Sequence, residues 1–295
     1  VAGEGKASGR GMRRMTGSDM MTANVWRHLW RGLLALGLAG SVLADDLVIP
    51  GSGNPEYVLA QLAKAFNARQ SQHRVVVPPS TGTAGALRDV GEGISPIGRV
   101  GRLLKDDESR QGFIYIPLGR DPVVVVAGAG VTVRDITATQ LVDIYSGKIS
   151  NWSELGGKPA PIRAVGRENS DASRQALNRI IKPFKDVTFG PAIKTVNLDP
   201  HLIALLDRYP TSLGFLNRSA LAACTTRVVH LTLDGVAPTP ENVDKGRYAA
   251  WVELGLIHKA NTLTRAARAF VDFIRSPEGN DILRQHGILP PAKVG

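Results

Sequence analysis

Residues 161–174 read PIRAVGRENSDASR, and this stretch decides the fold. Residues 161–165 are typical of a β-strand, residues 166–174 form a loop rich in small polar residues, and residues 175–181 follow a helical pattern. A helix that starts directly after such a loop presents unpaired backbone N–H groups at its N-terminus, where the helix dipole also favours negative charge. Arg167 and Arg174 bracket the loop, and guanidinium groups bind oxyanion oxygens in bidentate fashion. The stretch therefore indicates either an anion site or an ordinary capped helix.

The same arrangement of strand, loop and helix occurs twice earlier in the chain. In the first copy, a strand at 46–49 and the loop PGSGN precede a helix over 55–69. In the second, a strand at 74–77 and the loop PPSTGT precede a helix over 84–91. Three such loops favour the anion-site interpretation. Strands that alternate with helices predict an α/β fold with largely parallel sheets.

The rest of the chain continues this alternation. The aliphatic run at 123–126 is typical of a strand buried on both faces, after a further strand at 114–117. The pattern also predicts a helix over 136–145 capped by Thr137. Further predicted elements are strands at 212–216 and 227–231, helices over 264–275 and 277–285, and a surface loop at 234–246.

Residues 1–44 are interpreted as an upstream extension followed by a signal peptide. Basic residues at 27–31 precede an apolar stretch at 32–40, and small residues precede a predicted cleavage after Ala44. The apolar stretch is much shorter than the roughly 20 residues of a membrane span, although an uncleaved anchor is the alternative. We expect a soluble periplasmic product of 251 residues, with no cysteine at its start for a lipid anchor. That length suits one large domain or two lobes.

Charge and cysteine content limit the partners. Residues 1–44 hold six Lys or Arg and two acidic residues, so their removal lowers the formal net charge from +10 to +6. This mild excess attracts small anions but is too dispersed, and too poor in aromatic residues, for nucleic acid. The single cysteine, Cys224, allows no internal disulfide.

The sequence offers little for catalysis. Its six histidines are scattered and no cysteine cluster exists, so we expect no metal site. Residues 51–55 lack the lysine of a P-loop, and no Gly-x-Ser-x-Gly motif occurs. We therefore expect no catalytic residue and no cofactor. Trp152 and Trp251 are interpreted as packing residues and not as surfaces on which a ligand stacks.

Eight short motifs occur in a characteristic order, and together they resemble the substrate-binding proteins of phosphate ABC transporters. They are GSG at 51–53, STGT at 80–83, IGRVGR at 97–102, DPVVVV at 121–126, LVDIYSGKISNW at 141–152, the loop at 166–174, LGF at 213–215 and SPEG at 276–279. The resemblance covers nearly all of residues 45–295. It implies a two-lobed, hinged type II periplasmic-binding fold with the ligand in the interlobe cleft. Lobe I would comprise residues 45–122 and 228–295, and lobe II residues 123–227.

The resemblance also implies which residues contact the ligand. They are Ser52, Gly53 and Asn54 on the first loop, Ser80, Thr81 and Gly82 on the second, and Arg167, Ser170, Asp171, Ala172 and Ser173 on the third. Arg102 and Arg174 are further candidates because guanidinium groups bind oxyanions. Each has an ordinary alternative. The serines are typical of helix caps or turns, the arginines of surface ion pairs or loop supports, and Asp171 of an acid in a first helical turn.

Three departures from the family pattern bear on the ligand. An aspartate that often accepts a phosphate proton is replaced at Gly101 and Arg102, Asp171 stands where a hydroxyl is expected, and Asn54 and Pro55 replace the usual Thr-Phe. If Asp171 accepts the ligand proton instead, the site should reject sulfate, which has none to donate.

From the resemblance we expect a monomer that captures inorganic phosphate and delivers it to an ABC permease. The alternatives are another oxyanion (sulfate, molybdate or tungstate), a secreted phosphate-ester hydrolase that uses Ser170 or Ser173 beside Asp171, and a signalling scaffold.

Overall fold

The computed structural model describes residues 45–292, so the predicted signal peptide and its cleavage after Ala44 lie outside the described residues. The strands are β1 (Asp45–Val48), β2 (His73–Val76), β3 (Gly98–Val100), β4 (Phe113–Gly128), β5 (Asp135–Ile136), β6 (Arg163–Arg167), β7 (Lys194–Val196), β8 (Ser212–Asn217), β9 (Val228–Leu233) and β10 (Trp251–Lys259). The α-helices are α1 (Glu56–Arg69), α2 (Gly82–Gly91), α3 (Asp106–Arg110), α4 (Ala138–Ser146), α5 (Ala172–Ile180), α6 (Lys182–Lys185), α7 (Asp199–Arg208), α8 (Arg218–Ala222), α9 (Pro240–Asp244), α10 (Arg265–Arg275) and α11 (Pro277–Gln285). A short 3₁₀ helix covers Trp152–Leu155.

The long strand β4 organises the main sheet, whose strand order is β3-β10-β4-β8-β6-β7. Its first half pairs with β10 and its second half with β8 and β9, all antiparallel. The prediction of largely parallel sheets is therefore wrong for β4, although β1 with β2 and β6 with β7 and β8 are parallel. β4 thus runs antiparallel to its neighbours on both sides.

The two strands predicted at 114–117 and 121–127 are a single strand. Leu118, Gly119 and Arg120 lie between them, and the pairing continues through a register shift opposite Leu254 and Gly255. Gly119 lies at this irregularity with φ +148°, and a Cβ there would lie 2.4 Å from the carbonyl oxygen of Leu289. A residue without a side chain thus allows the backbone of Leu289 to approach and to pair with Arg120.

The change of pairing partner along β4 coincides with the predicted division between lobes. Pro122 pairs with Trp251 of β10, and the next residue, Val123, pairs with Asn217 of β8. The predicted boundary at residue 228 stays a prediction. Because β9 pairs with the second half of β4, the strand pairing favours a boundary after Leu233.

Several local predictions differ from the structure at helix ends. Helices α2 and α5 begin at Gly82 and Ala172, two and three residues earlier than predicted, so two loops are shorter than expected. The predicted surface loop at 234–246 contains α9, while β10 and α7 were not predicted. The predicted cap of α4 is confirmed, since Thr137 accepts a hydrogen bond from the amide of Gln140 in a capping box.

The core holds the strand that leads into the third loop. Tyr145 is fully buried among Phe184, Phe189 and Phe215, and its hydroxyl donates to the carbonyl of Val165 at 2.9 Å. This bond fixes β6 two residues before Arg167. Trp152 is also buried, as expected of a packing residue. Within residues 45–292, no helix combines the length and the apolar character needed to cross a bilayer.

Candidate ligand-binding cleft

A cleft of about 860 Å³ brings the three predicted loops together. Ten of the thirteen predicted site residues line it: Ser52, Gly53, Asn54, Ser80, Gly82, Arg102, Arg167, Ser170, Asp171 and Ala172. Thr81, Ser173 and Arg174 are not among its lining residues. Their role at a ligand, like that of the other ten, stays a prediction.

The first two loops are joined through the backbone of Gly51. Its carbonyl accepts hydrogen bonds from the amide of Thr81 at 3.0 Å and from the hydroxyl of Ser80 at 3.2 Å. Gly51 has φ +135°, and a Cβ there would lie 2.1 Å from the carbonyl oxygen of Arg99. Only glycine accommodates this conformation and this contact, which places Ser80 beside the first loop.

Arg99 holds both loops from beneath. Its side chain is fully buried, and its Nε donates to the carbonyl of Ser52 at 2.8 Å while Nη2 donates to that of Pro78 at 2.7 Å. Further bonds reach Ile49 and, at 3.1 Å, the carboxylate of Glu56. Burial lowers the pKa of Arg99, and the attraction of Glu56 opposes that shift. Arg99 therefore supports the loops and does not line the cleft.

The third loop is built around Arg167, which is only 3% exposed. Its guanidinium is paired with Asp171, at 2.6 Å, and with Asp199 at the start of α7. Burial opposes the charge on Arg167, but Asp199 and Asp171 outweigh burial and raise its pKa. The alternative interpretation of Arg167, an ion pair with Asp171, is thus present in the structure. Asp199 was missed, although Asp-Pro is a recognisable helix start.

Asp171 has two structural contacts. One oxygen caps α5 by accepting the amide of Arg174 at 2.9 Å, and the other accepts from Arg167. Burial raises the pKa of Asp171, while Arg167 and the capping bond oppose the increase. A carboxylate offers about four acceptor positions, so Asp171 retains capacity to accept a hydrogen bond from a protonated ligand at the cleft wall.

Arg174 supports the loop from behind. It donates to the carbonyl of Arg167 at 2.7 Å, and its guanidinium lies 4.0 Å from the centre of the Phe189 ring. Within residues 45–292, three buried polar atoms here have no hydrogen-bond partner: Ser173 Oγ, Arg167 Nε and Arg174 Nε. The loop thus contains more buried donors than its own fold uses.

Arg102 is engaged with a neighbouring acid. It donates to both carboxylate oxygens of Glu108, at 2.7 and 2.6 Å, and to the carbonyl of Leu103 at 2.8 Å. The hydrogen bond from Arg102, the largest of several influences, lowers the pKa of Glu108. The positive charge of Arg102 at this part of the cleft wall is therefore already paired with the carboxylate of Glu108.

The residues that line the cleft include more acids than cations, so their net charge does not attract anions. The charged lining residues comprise three cations and five acids: Arg102, Arg167 and Arg179 against Glu56, Glu168, Asp171, Asp199 and Glu253. Attraction must therefore come from directed dipoles. The first turns of α1, α2 and α5 all contribute lining residues. Several of their first N–H groups are already bonded, that of Glu56 to Gly53, that of Gly82 to Ser80 Oγ and that of Arg174 to Asp171, so the helix dipoles and the remaining amides supply the attraction.

Trp251 packs at the edge of the cleft. It is half-buried on β10, lines the cleft, and lies between Arg120 and Arg179, whose guanidinium carbons are 5.2 and 5.5 Å from its ring centre. Its packing partners thus include two guanidinium groups, of which that of Arg179 belongs to the cleft lining. Among residues 45–292, no cluster of three or more His, Cys, Asp or Glu is arranged to hold a metal ion.

The family model described as the PBP superfamily domain matches residues 39–278. The chain belongs to this family. This family membership agrees with the mixed α/β, two-lobed fold that the resemblance implied.

Known proteins similar to this PBP superfamily member carry phosphate in their names. A phosphate-binding protein PstS of Bacillus subtilis is 28% identical over 253 residues, which cover 84% of this chain and 81% of the relative. One of Borreliella burgdorferi is 23% identical over 256 residues, covering 82% and 88%.

Solved structures show the same fold. A Clostridium perfringens protein described as a phosphate ABC transporter substrate-binding protein, solved with bound phosphate, superposes with a TM-score of 0.72 at 27% identity, covering 84% of this chain and all of that one. An ABC-type phosphate transport receptor from Vibrio cholerae superposes with a TM-score of 0.62 at 23% identity, covering 83% and 100%.

Proposed function

We propose that this chain is the substrate-binding protein of an ABC importer and that it binds inorganic phosphate in the cleft between its lobes. The observation that carries the proposal is the convergence of three helix N-termini, those of α1, α2 and α5, on one cleft beside Arg167. The names of the relatives support the same ligand.

The arrangement suits an oxyanion that still carries a proton. Backbone amides donate to its oxygens, and the hydroxyls of Ser52 and Ser80 donate as well once they turn from their present acceptors, Asn54 Oδ1 and the Gly51 carbonyl. A hydrogen bond to a charged group contributes about 1.5–3 kcal/mol. Asp171 accepts the ligand proton. Sulfate has no proton for Asp171 at neutral pH, so it meets an unmatched carboxylate and is rejected. Molybdate and tungstate are disfavoured for the same reason.

Transport would use closure of the two lobes. Because β4 passes from one set of strands to the other at Pro122 and Val123, rotation there would narrow the cleft as in other hinged binding proteins. We infer that the chain works as a monomer in the periplasm after export, and that a membrane permease receives phosphate from the closed form.

Hydrolysis is not favoured by the geometry. Ser173 is fully buried and does not line the cleft, and the lining residues include no histidine to act as a base. Ser170 lines the cleft, but Asp171 beside it is already bonded to Arg167 and the start of α5.

Calorimetric titration of the purified, ligand-free protein tests the proposal. Phosphate, sulfate, molybdate and tungstate are titrated separately at pH 5.5 and pH 8. We expect phosphate to bind with one-to-one stoichiometry and sulfate to compete at least a hundredfold less well. Preferential binding of sulfate, molybdate or tungstate would refute phosphate as the ligand, and absence of heat with all four would refute the oxyanion site. Ser80→Ala serves as the site variant, with exposed Ser109→Ala as its control.

A further inference from the structure

A second cavity, of about 480 Å³, shares no lining residue with the ligand cleft. Residues of α8, the segment after it, β9 and the end of α11 line it. Its lining includes three arginines and two histidines: Arg218, Arg227, Arg284, His230 and His286. None of its twelve lining residues is acidic. In this respect it is the opposite of the ligand cleft, where acids outnumber cations.

Two distant segments meet to form this basic cavity. Arg218, the first residue of α8, packs against Gly287, where a Cβ would lie 2.5 Å from Arg218 Cδ. Arg218 also donates to the carbonyl of Pro238 at 3.1 Å. Gly287 adopts φ +77°, so glycine serves both the turn after α11 and the close approach of Arg218. The position of Arg218 is thereby fixed.

The positive charges of the basic cavity are weakly compensated. Arg284 pairs with Asp281 at 3.2 Å, but both side chains are more than half exposed, and such pairs contribute only about 0–1 kcal/mol. Arg227 is exposed and makes no ion pair within residues 45–292. An anion in the cavity would therefore meet charges that no buried carboxylate already neutralises.

The two histidines add neutral hydrogen-bonding groups. Loss of hydration, with Arg218 nearby, lowers the pKa of His230, although the residue is exposed in part, and burial lowers the pKa of the half-buried His286. Each neutral ring offers one donor and one acceptor. His286 Nδ1 is buried and has no hydrogen-bond partner in the described part of the chain.

We propose that the basic cavity binds a compact oxyanion of the diphosphate class, independently of the ligand cleft. Three guanidinium groups from separate segments can each hold oxygens in bidentate fashion, which favours a ligand with more than one anionic group. The volume lies within the range of about 300–1,000 Å³ typical of small-molecule sites.

Titration of the full chain with pyrophosphate, with and without saturating inorganic phosphate, tests this site. The site variant is R227Q/R284Q, which removes two exposed positive charges from the cavity. Its control is R265Q/R268Q, which removes two exposed charges from α10, outside both cavities. We expect one-to-one pyrophosphate binding that weakens at least tenfold in the site variant and less than twofold in the control.

Three results would overturn the proposal: no pyrophosphate binding by the wild type, equal weakening in both variants, or binding that R227Q/R284Q leaves unchanged. Equal weakening would mean attraction by diffuse charge, and unchanged binding that saturating inorganic phosphate abolishes would place pyrophosphate in the ligand cleft. Because the variants locate the site, the result does not depend on whether the cleft binds phosphate.

Discussion

Asn217 donates a hydrogen bond to Asp121 Oδ2 at 2.7 Å, which joins the end of β8 to β4 beside the position where β4 changes its pairing partner. Ser219 donates to Asp121 as well, through its hydroxyl at 2.5 Å and its amide at 3.2 Å. Asn217 also donates to the carbonyl of Asn54, at 3.4 Å. A fully buried carboxyl group thus connects the position where β4 changes its pairing partner with the first loop of the cleft.

The stability of the protein should fall as pH rises towards 7, because of Asp121. Burial raises its pKa from 3.8 to about 7, against the hydrogen bonds from Ser219 and Asn217. The folded state therefore holds a proton that the unfolded state releases above about pH 4, so this contribution to stability is complete below pH 4 and is lost as pH rises through about 7. Urea unfolding at pH 5, 6, 7 and 8 measures the slope.

Asp121→Asn keeps a neutral polar group at this position and should flatten that slope. Asp272→Asn, an exposed change on α10, is the control and should keep the slope of the wild type. If the curves for wild type and Asp121→Asn run parallel between pH 5 and 8, Asp121 does not titrate in this range.

Gly51 should tolerate substitution far less well than Gly82. Gly51→Ala must accommodate φ +135° and a Cβ 2.1 Å from a backbone oxygen, so we expect a loss of more than about 3 kcal/mol in the free energy of unfolding. Gly82 has φ +73° with open space around its Cβ position, and Gly82→Ala should cost about 1 kcal/mol. Urea unfolding measures the free energy of unfolding of both variants. Equal losses would show that the backbone at Arg99 can move away from the new Cβ at little cost.

The sequence predicted the loops of the cleft better than the support beneath them. Periodicity and helix starts located Ser52, Ser80 and the residues around Arg167 on three loops, because strand, loop and helix signals are local. Arg99 and Asp199 are different. Their partners lie 21 to 50 residues away in the chain, and spacing within one sequence says nothing about such contacts.

Contacts between distant segments also explain why β10 was not predicted and why β4 was predicted as two strands. Residues 251–259 show no strict alternation, since β10 is the central partner of both β3 and β4 and is largely buried. β4 contains Pro117 and Pro122, which sequence rules assign to strand ends. Tertiary pairing on both sides holds this strand together where its local preferences would end it.

Removal of the Ser173 hydroxyl should stabilise the ligand-free protein. Ser173 is fully buried and its Oγ has no partner within residues 45–292, which is an unfavourable state for a polar group. We expect Ser173→Ala to raise the free energy of unfolding by about 1 kcal/mol. The exposed neighbour Ser170, changed to alanine, should alter it by less than about 0.5 kcal/mol. A loss of stability in Ser173→Ala would mean that the hydroxyl has a partner in solution.

Asp171 and Asp199 should affect ligand choice differently, although both carboxylates pair with Arg167. Asp171→Asn removes the proposed proton acceptor but keeps a residue that caps helices well, so α5 should still form. We expect its preference for phosphate over sulfate to fall at least tenfold, because the penalty against an unprotonated oxyanion disappears. Asp199→Asn removes the same charge from Arg167 without touching that acceptor, so it should strengthen binding of both anions and leave their ratio within about threefold. Competition calorimetry at pH 8 gives both ratios. If the ratio falls equally in the two variants, net charge and not proton acceptance selects the ligand; if it falls in neither, another group accepts the proton.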